Sequence, residues 1–250
     1  GTQRYRTPPA RMVVRPCLLL LSLITDTTLS SLWSYTFSTK DELNTALACW
    51  MTDPASATCE GVYGHISTWD TGLIKDFVNL ISVQSGNSDI RAGCGSFNDD
   101  IGGWNVSQVT TMQGMFRGAA SFNFDLDRWD VAKVTSMRRM FMGAEGFNGN
   151  ISCWDTSSLT NMANMFVDAR VFNQPIGGWN VSRVTDMQQT FKQSTSFNHD
   201  LHEWDTSSLT TFHQIFDRAV LHTTSNQYPF HVPSLLPFPQ TLPLPRPPLM

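Results

Sequence analysis

The chain is short of basic charge. Its 17 lysines and arginines face 21 aspartates and glutamates, for a net charge of −4, so no electropositive field draws in nucleic acid. Cysteine is scarce as well: five in 250 residues are too few for a disulfide scaffold. Long apolar runs are missing. The stretch at 17–24 is eight residues, against the roughly 20 that a membrane-spanning helix needs, so no transmembrane segment is expected. No C-x-x-C pair, glycine-rich phosphate loop, Ser-His-Asp or Cys-His arrangement recurs, which argues against an enzyme and gives no cofactor a place.

What the chain has is repetition. Trp104, Trp129, Trp154, Trp179 and Trp204 stand 25 residues apart without insertion or deletion, each opening the unit W-[DN]-[VT]-[SA]-x-[VL]-T-x-M-x-x-M-F-x-x-A-x-x-F-N-x-x-[IL]-x-x. A fixed period of this length marks stacked supersecondary units. Each unit is too short to bury its own apolar face and must lay it on the next, so the core runs along one axis. A coil beginning at Trp69 makes six, its return Phe97-Asn98 delayed by ten residues. The surplus lies within 82–96, whose glycine and serine content reads as a surface loop.

Within a coil, Val109, Met112, Met115, Phe116 and Ala119 recur at spacings of three and four, as do Val134, Met137, Met140, Phe141 and Ala144. That is one stripe of a short helix, with Thr110 placed to cap it. The remainder, with Phe122, Leu126 and Trp129, is too short for a second helix and predicts an extended segment in a parallel ladder at about 4.8 Å per coil. The expected fold is α/β: a right-handed leucine-rich-repeat-like solenoid of about six 25-residue coils, each a short helix plus a short extended segment.

The ends differ in character. Residues 1–36 read as a leader. Within 12–30 a basic stub, a short apolar stretch and small residues follow the order of a secretory signal peptide, with a buried strand or helix as the alternative. Segment 37–68 reads as an N-terminal helical cap and entry: Thr39 and Glu42 have capping-box spacing, Leu43, Ala46, Leu47, Trp50 and Met51 share a helical face, and Pro54 closes it. The repeats occupy 69–222. Residues 223–250 form a proline-rich tail with eight of the thirteen prolines, in which no packed structure is expected.

The residues from Phe122 to Asn148, F-N-F-D-L-D-R-W-D-V-A-K-V-T-S-M-R-R-M-F-M-G-A-E-G-F-N, resemble the BspA-like surface-protein repeat, also called the mycoplasma lipoprotein repeat. The resemblance covers about 37–219, including Y-G-x-I-x-x-W-D from Tyr63 to Asp70. It implies a leucine-rich-repeat-like protein, exported, with roles in adhesion and protein binding and with no catalytic residues. The last coil departs from the pattern at Phe212 and Ile215 and lacks the Phe-Asn return.

Repeated polar residues admit two readings. Asn105, Asp130, Asp155, Asn180 and Asp205 share one position and Asn123, Asn148, Asn173 and Asn198 another. A calcium ladder would need charge at every step, whereas side-chain bonds to backbone groups suit Asn and Asp alike, and the second reading is preferred. His199 and His202 beside Asp200 are variable between coils, so no metal site is expected there. Positions that vary are the candidate partner contacts: Gln108, Phe124, Asp127, Arg128, Lys133, Arg183, His199, His202 and Glu203. Cys49 and Cys59 are a candidate disulfide, and Asn105, Asn150 and Asn180 head N-x-[ST] sequons. The expected function is a secreted or cell-surface repeat protein acting as a protein-binding or adhesion module. Its expected partner is a protein or envelope ligand. The alternatives are an envelope spacer module and a truncated remnant.

Overall fold

The computed structural model describes residues 34–53 and 57–219. The signal-peptide-like stretch at 12–30, Pro54 and the tail at 223–250 lie outside the described residues. Among the described residues three α-helices, α1 (Lys40–Thr52), α2 (Ala57–Tyr63) and α3 (Ser88–Gly93), and a 3-10 turn at Ile66–Thr68 precede or interrupt the repeats.

Helix α1 starts where its sequence provides an acceptor. The Thr39 hydroxyl accepts from the Glu42 N–H at 3.2 Å. The Glu42 carboxylate reaches back, but to the Ser38 N–H (2.9 Å), one residue earlier than the usual capping box, and also takes the Tyr35 hydroxyl at 2.6 Å. Its apolar face, Leu43, Ala46, Leu47 and Trp50, is buried in the same core as Trp69 and Phe77. Polar bonds fix it to the first coil: Trp50 Nε1 donates to Asp99 (3.1 Å), and Lys40 Nζ donates to the Val78 carbonyl (2.7 Å) and pairs with Asp76 (3.2 Å). A Cys49–Cys59 disulfide, with Cα atoms 5.8 Å apart, joins α1 to α2.

The repeats contradict the expected α/β leucine-rich-repeat-like solenoid. Among the described residues no coil contains a repeated α-helix and no sheet forms; successive coils are joined by isolated parallel bridges along Asp76, Thr111, Ser136, Asn161, Asp186 and Thr211, and a further one joins Thr36 to Asp70 of the first coil. Where the helix was expected, the chain makes successive turns. The N–H groups of Met137, Arg139, Phe141 and Gly143 donate forward to the carbonyls of Asn161, Ala163, Met165 and Val167 at 2.7–3.0 Å. Those of Met140, Met142 and Ala144 close back on Met137, Arg139 and Phe141 at 3.0–3.2 Å. An α-helix would send every N–H four residues back; here alternate N–H groups are spent on the next coil.

The backbone enforces this. Arg139 and Gly143 have φ of +58° and +73°, and the same pair of positions is left-handed at Gly114 and Gly118, Asn164 and Asp168, Gln189 and Gln193, and Gln214 and Arg218. One such residue per four rules out a right-handed helix. The apolar side chains nevertheless point inward as expected, because a spacing of three and four places them on one side of a turn ladder as well as on one side of a helix.

The expected cap at Thr110 is also replaced. Thr110, Thr135, Thr160, Thr185 and Thr210 each direct the backbone N–H (2.9 Å) and the side-chain hydroxyl (3.0–3.3 Å) to one carbonyl of the preceding coil. The hydroxyl thus strengthens the link between coils rather than the end of a helix.

The core is a set of aromatic columns. Phe116, Phe141, Phe166, Phe191 and Phe216 stack at 5.3–5.7 Å between centroids, and Phe97, Phe122, Phe147, Phe172 and Phe197 at 5.8–6.0 Å. Close rungs join the columns, as at Phe141–Phe147 (3.9 Å). Each such pair adds about 0.5–1.5 kcal/mol to the burial of the rings. Beside them run the tryptophans, whose buried Nε1 atoms need acceptors: Trp129, Trp154, Trp179 and Trp204 donate to the carbonyls of Ile101, Leu126, Ile151 and Ile176 at 2.7–3.2 Å.

The surplus at 82–96 is not simply a surface loop. Asn87 caps α3 by accepting from the Asp89 N–H (2.9 Å), and Ile90 and Cys94 are fully buried. Gly93 lies against Met51 of α1 so closely that a Cβ there would sit 2.8 Å from the Met51 Cβ. The polar composition of the segment hid two apolar anchors.

Candidate ligand-contact surface

Both repeated polar positions are occupied by bonds that hold the backbone. Asn105, Asp130, Asp155, Asn180 and Asp205 accept through Oδ1 from the N–H two residues on, at 3.0–3.2 Å. The side-chain hydrogen bonds of Ser157 and Ser207, and after them these backbone N–H groups, hold the Asp155 and Asp205 carboxyls below their ordinary pKa. The other position links coils: the backbone N–H groups of Asn123, Asn148, Asn173 and Asn198 donate to the side-chain Oδ1 of Asn98, Asn123, Asn148 and Asn173 at 2.7–3.0 Å. Where the chain is not paired strand to strand, a side-chain carbonyl stands in for the missing backbone acceptor.

Against this background the variable positions fall into small groups. Gln108 and Lys133 meet: Lys133 Nζ donates to Gln108 Oε1 at 3.0 Å, with Lys133 exposed. Arg183 is exposed two coils further on, as are Asp127 and Arg128, while Phe124 is half-buried against the core. Exposed Leu73 occupies the position of Gln108 in the first coil, an apolar end to that column missed in the sequence, where it could have been found by aligning the coils.

His202 and Glu203 form a second group. Both ring nitrogens of His202 face carboxylate oxygens at 2.7 Å, Nδ1 at Asp200 and Nε2 at Glu203. Carboxylates facing both ring nitrogens favour the protonated imidazole, in which each nitrogen is a donor. The hydrogen bond and charge of Asp200 push the His202 pKa up, with Glu203 adding to the effect. His199 is turned to the stack instead, its Nε2 at 3.1 Å from the Asn173 carbonyl, where Gln174 Nε2 makes the matching bond to Asn148 (2.6 Å). Among the described residues no bond joins the Gln108–Lys133 pair to the His202–Glu203 pair.

The sequon asparagines share a local geometry. The Oδ1 atoms of Asn105, Asn150 and Asn180 accept from the hydroxyls of Ser107, Ser152 and Ser182 at 2.7–2.8 Å, with Asn105 and Asn180 exposed. A cleft of about 130 Å³ lies between α1 and the first coil, lined by Trp50, Met51, Gly93, Ser96, Phe97 and Asp99. Among the described residues no helix is long and apolar enough to cross a membrane.

These features define a repeat protein whose 25-residue units are joined by asparagine, threonine and aromatic ladders. More particularly, the chain belongs to the family described as Mycoplasma protein of unknown function, DUF285, whose model matches residues 51–166 and again 123–228. This supports the resemblance to BspA-like repeats at the level of the family. No curated protein and no solved structure matches the chain.

Proposed function

We propose that the chain is an exported, surface-displayed binding module that catalyses nothing and holds a protein or envelope ligand on the side chains that vary between coils. The observation that carries this reading is a division of labour. The recurring Trp, Phe, Met, Thr and Asn residues are engaged by the stack, whereas Gln108, Asp127, Arg128, Lys133, Arg183, His202 and Glu203 are half-buried or exposed and differ from coil to coil. Binding residues on a rigid scaffold have this distribution. The Cys49–Cys59 disulfide supports an oxidising compartment.

Two measurements test the proposal. An epitope-tagged chain is stained on intact and permeabilised cells; equal staining is expected, and signal only after permeabilisation would refute export. Binding of the purified chain to isolated cell envelopes is then compared with that of a variant in which Asp127, Arg128, Lys133 and Arg183 are alanine. Weakened binding at unchanged melting temperature supports the assignment, and unchanged binding removes it. Concentration-dependent self-association without envelope binding would favour a wall-building or spacer role.

A further inference from the structure

Three arginines come together on the second and third coils without an acid among them. The Gly114 N–H donates to the Arg138 carbonyl and the Gly118 N–H to the Met142 carbonyl, both at 2.8 Å, so the turns carrying Arg117 lie directly on those carrying Arg138 and Arg139. All three side chains are half-buried. The Arg139 Nε is buried and has no hydrogen-bond partner. Burial, and then the charges of Arg138 and Arg117, hold the Arg139 pKa below the ordinary guanidinium value, without removing its charge.

Elsewhere the stack neutralises such groups. Lys192, in the column of Arg117, pairs with Asp217 at 3.4 Å, and Arg170 pairs with Glu145 at 3.4 Å and Asp168 at 3.8 Å. Among the described residues no carboxylate lies within ion-pair distance of Arg117, Arg138 or Arg139. The fold does not require arginine at these places. The column of Arg138 holds Gln113 and Gln188, that of Arg139 holds Asn164, Gln189 and Gln214, and that of Arg117 holds Met142 and Val167. A buried donor without an acceptor, and like charges side by side, both cost stability. An anion would relieve both.

We propose that Arg117, Arg138 and Arg139 form a binding site for a tetrahedral oxyanion, sulfate or phosphate, free or as a monoester on a larger ligand. Guanidinium groups suit this ligand because their donors form a planar fork that matches two oxygens of the anion. The unused Arg139 Nε supplies a buried donor, with Arg138 the adjoining residue and Arg117 on the adjoining coil, both close enough for their charges to act on it.

The test is titration calorimetry of the full chain with inorganic sulfate, inorganic phosphate and glucose 6-sulfate, with chloride balancing ionic strength. Saturable binding of one probe is expected, weakened at least about tenfold in R138Q/R139Q and unchanged in R91Q on α3. The double variant reproduces Gln188 and Gln189 of the fifth coil, including a left-handed glutamine, so it is expected to fold; its melting temperature in chloride checks this. R117M, which copies Met142, provides an independent second variant. Preference for the ester over the free ion would place the anion on a larger ligand, and the reverse preference would identify a free ion. Absence of saturable heat at about 20 mM of every probe, or equal binding by the variants, would overturn the proposal.

Discussion

The backbone N–H of Asn148 donates to the side-chain Oδ1 of Asn123, 25 residues earlier, at 2.7 Å. The Asn148 side chain in turn accepts from the Asn173 N–H at 2.8 Å. Asn123, Asn148 and Asn173 therefore each link to both neighbouring coils, through the backbone N–H on one side and the side-chain Oδ1 on the other.

Replacing Asn148 by Ala leaves the Asn173 N–H and Gln174 Nε2 without this acceptor. A loss of about 1–2 kcal/mol is expected. Asn148→Asp keeps the acceptor and is expected to lose less. Urea denaturation of both variants decides; equal losses would show that the acceptor is not what matters.

The threonine ladder predicts a smaller effect. Thr135→Val removes one hydroxyl bond to the Thr110 carbonyl while keeping the backbone bond and the shape. The expected cost is about 0.5–1 kcal/mol, with Thr135→Ser nearer to wild type. A valine variant as stable as wild type would remove the hydroxyl from the account.

Phe141 touches rings above, below and beside it: Phe116 at 5.4 Å, Phe166 at 5.7 Å and Phe147 at 3.9 Å. Phe141→Ala opens a cavity in the middle of the stack and is expected to cost about 3–5 kcal/mol. In a stack of neighbour-dependent units that loss separates the coils on either side. Two unfolding transitions, read by tryptophan fluorescence and circular dichroism, are the expected signature.

Gly143 isolates the backbone contribution. A Cβ there meets nothing closer than 3.7 Å, yet φ is +73°. Gly143→Ala is therefore expected to cost about 1 kcal/mol through conformation alone. Gln193→Gly, at the equivalent left-handed position with φ of +60°, is expected to be neutral or stabilising. A neutral alanine at Gly143 would argue against the left-handed turns.

A pH effect follows from the Tyr35–Glu42 bond. The hydrogen bond to Glu42, then burial, then the Glu42 charge, push the Tyr35 pKa up from 10.0 to about 12. The folded state thus holds its phenolic proton more tightly than the unfolded chain does. This contribution is complete below pH 10 and is lost as pH rises towards 12. Denaturation midpoints are expected to fall over that window, and to fall less in Tyr35→Phe.

Much of the packing was legible in the sequence, while the secondary structure was not. Spacings of three and four correctly place Met137, Met140, Phe141 and Ala144 inside, since inward direction depends on which residues share a side. They do not distinguish a helix from a ladder of turns with the same period. The distinguishing signal sits at the left-handed positions between the apolar ones: Asn79, Gly114, Arg139, Asn164, Gln189 and Gln214 include no β-branched residue, and asparagine and glycine, which tolerate a left-handed backbone, fill three of the six. The extended segment near Phe122 was expected to pair as strand, but its register is kept by the Asn123 side chain, which stands where a backbone acceptor would otherwise be needed. Within the surplus of the first coil, Ile90 and Cys94 carried the apolar information that the glycines and serines around them obscured. Of the variable positions, His199 is engaged by the stack through the Asn173 carbonyl, a bond between coils that spacing along one chain does not reveal.

Backbone chemical shifts of the full chain distinguish turns from helices as the links between coils. With turns, no unbroken helical run is expected in residues 134–144 or their equivalents, and left-handed signatures are expected at Arg139, Asn164 and Gln189, with helical shifts across Lys40–Thr52. Continuous helical shifts from Val134 to Ala144, repeated in each coil, would contradict the turns.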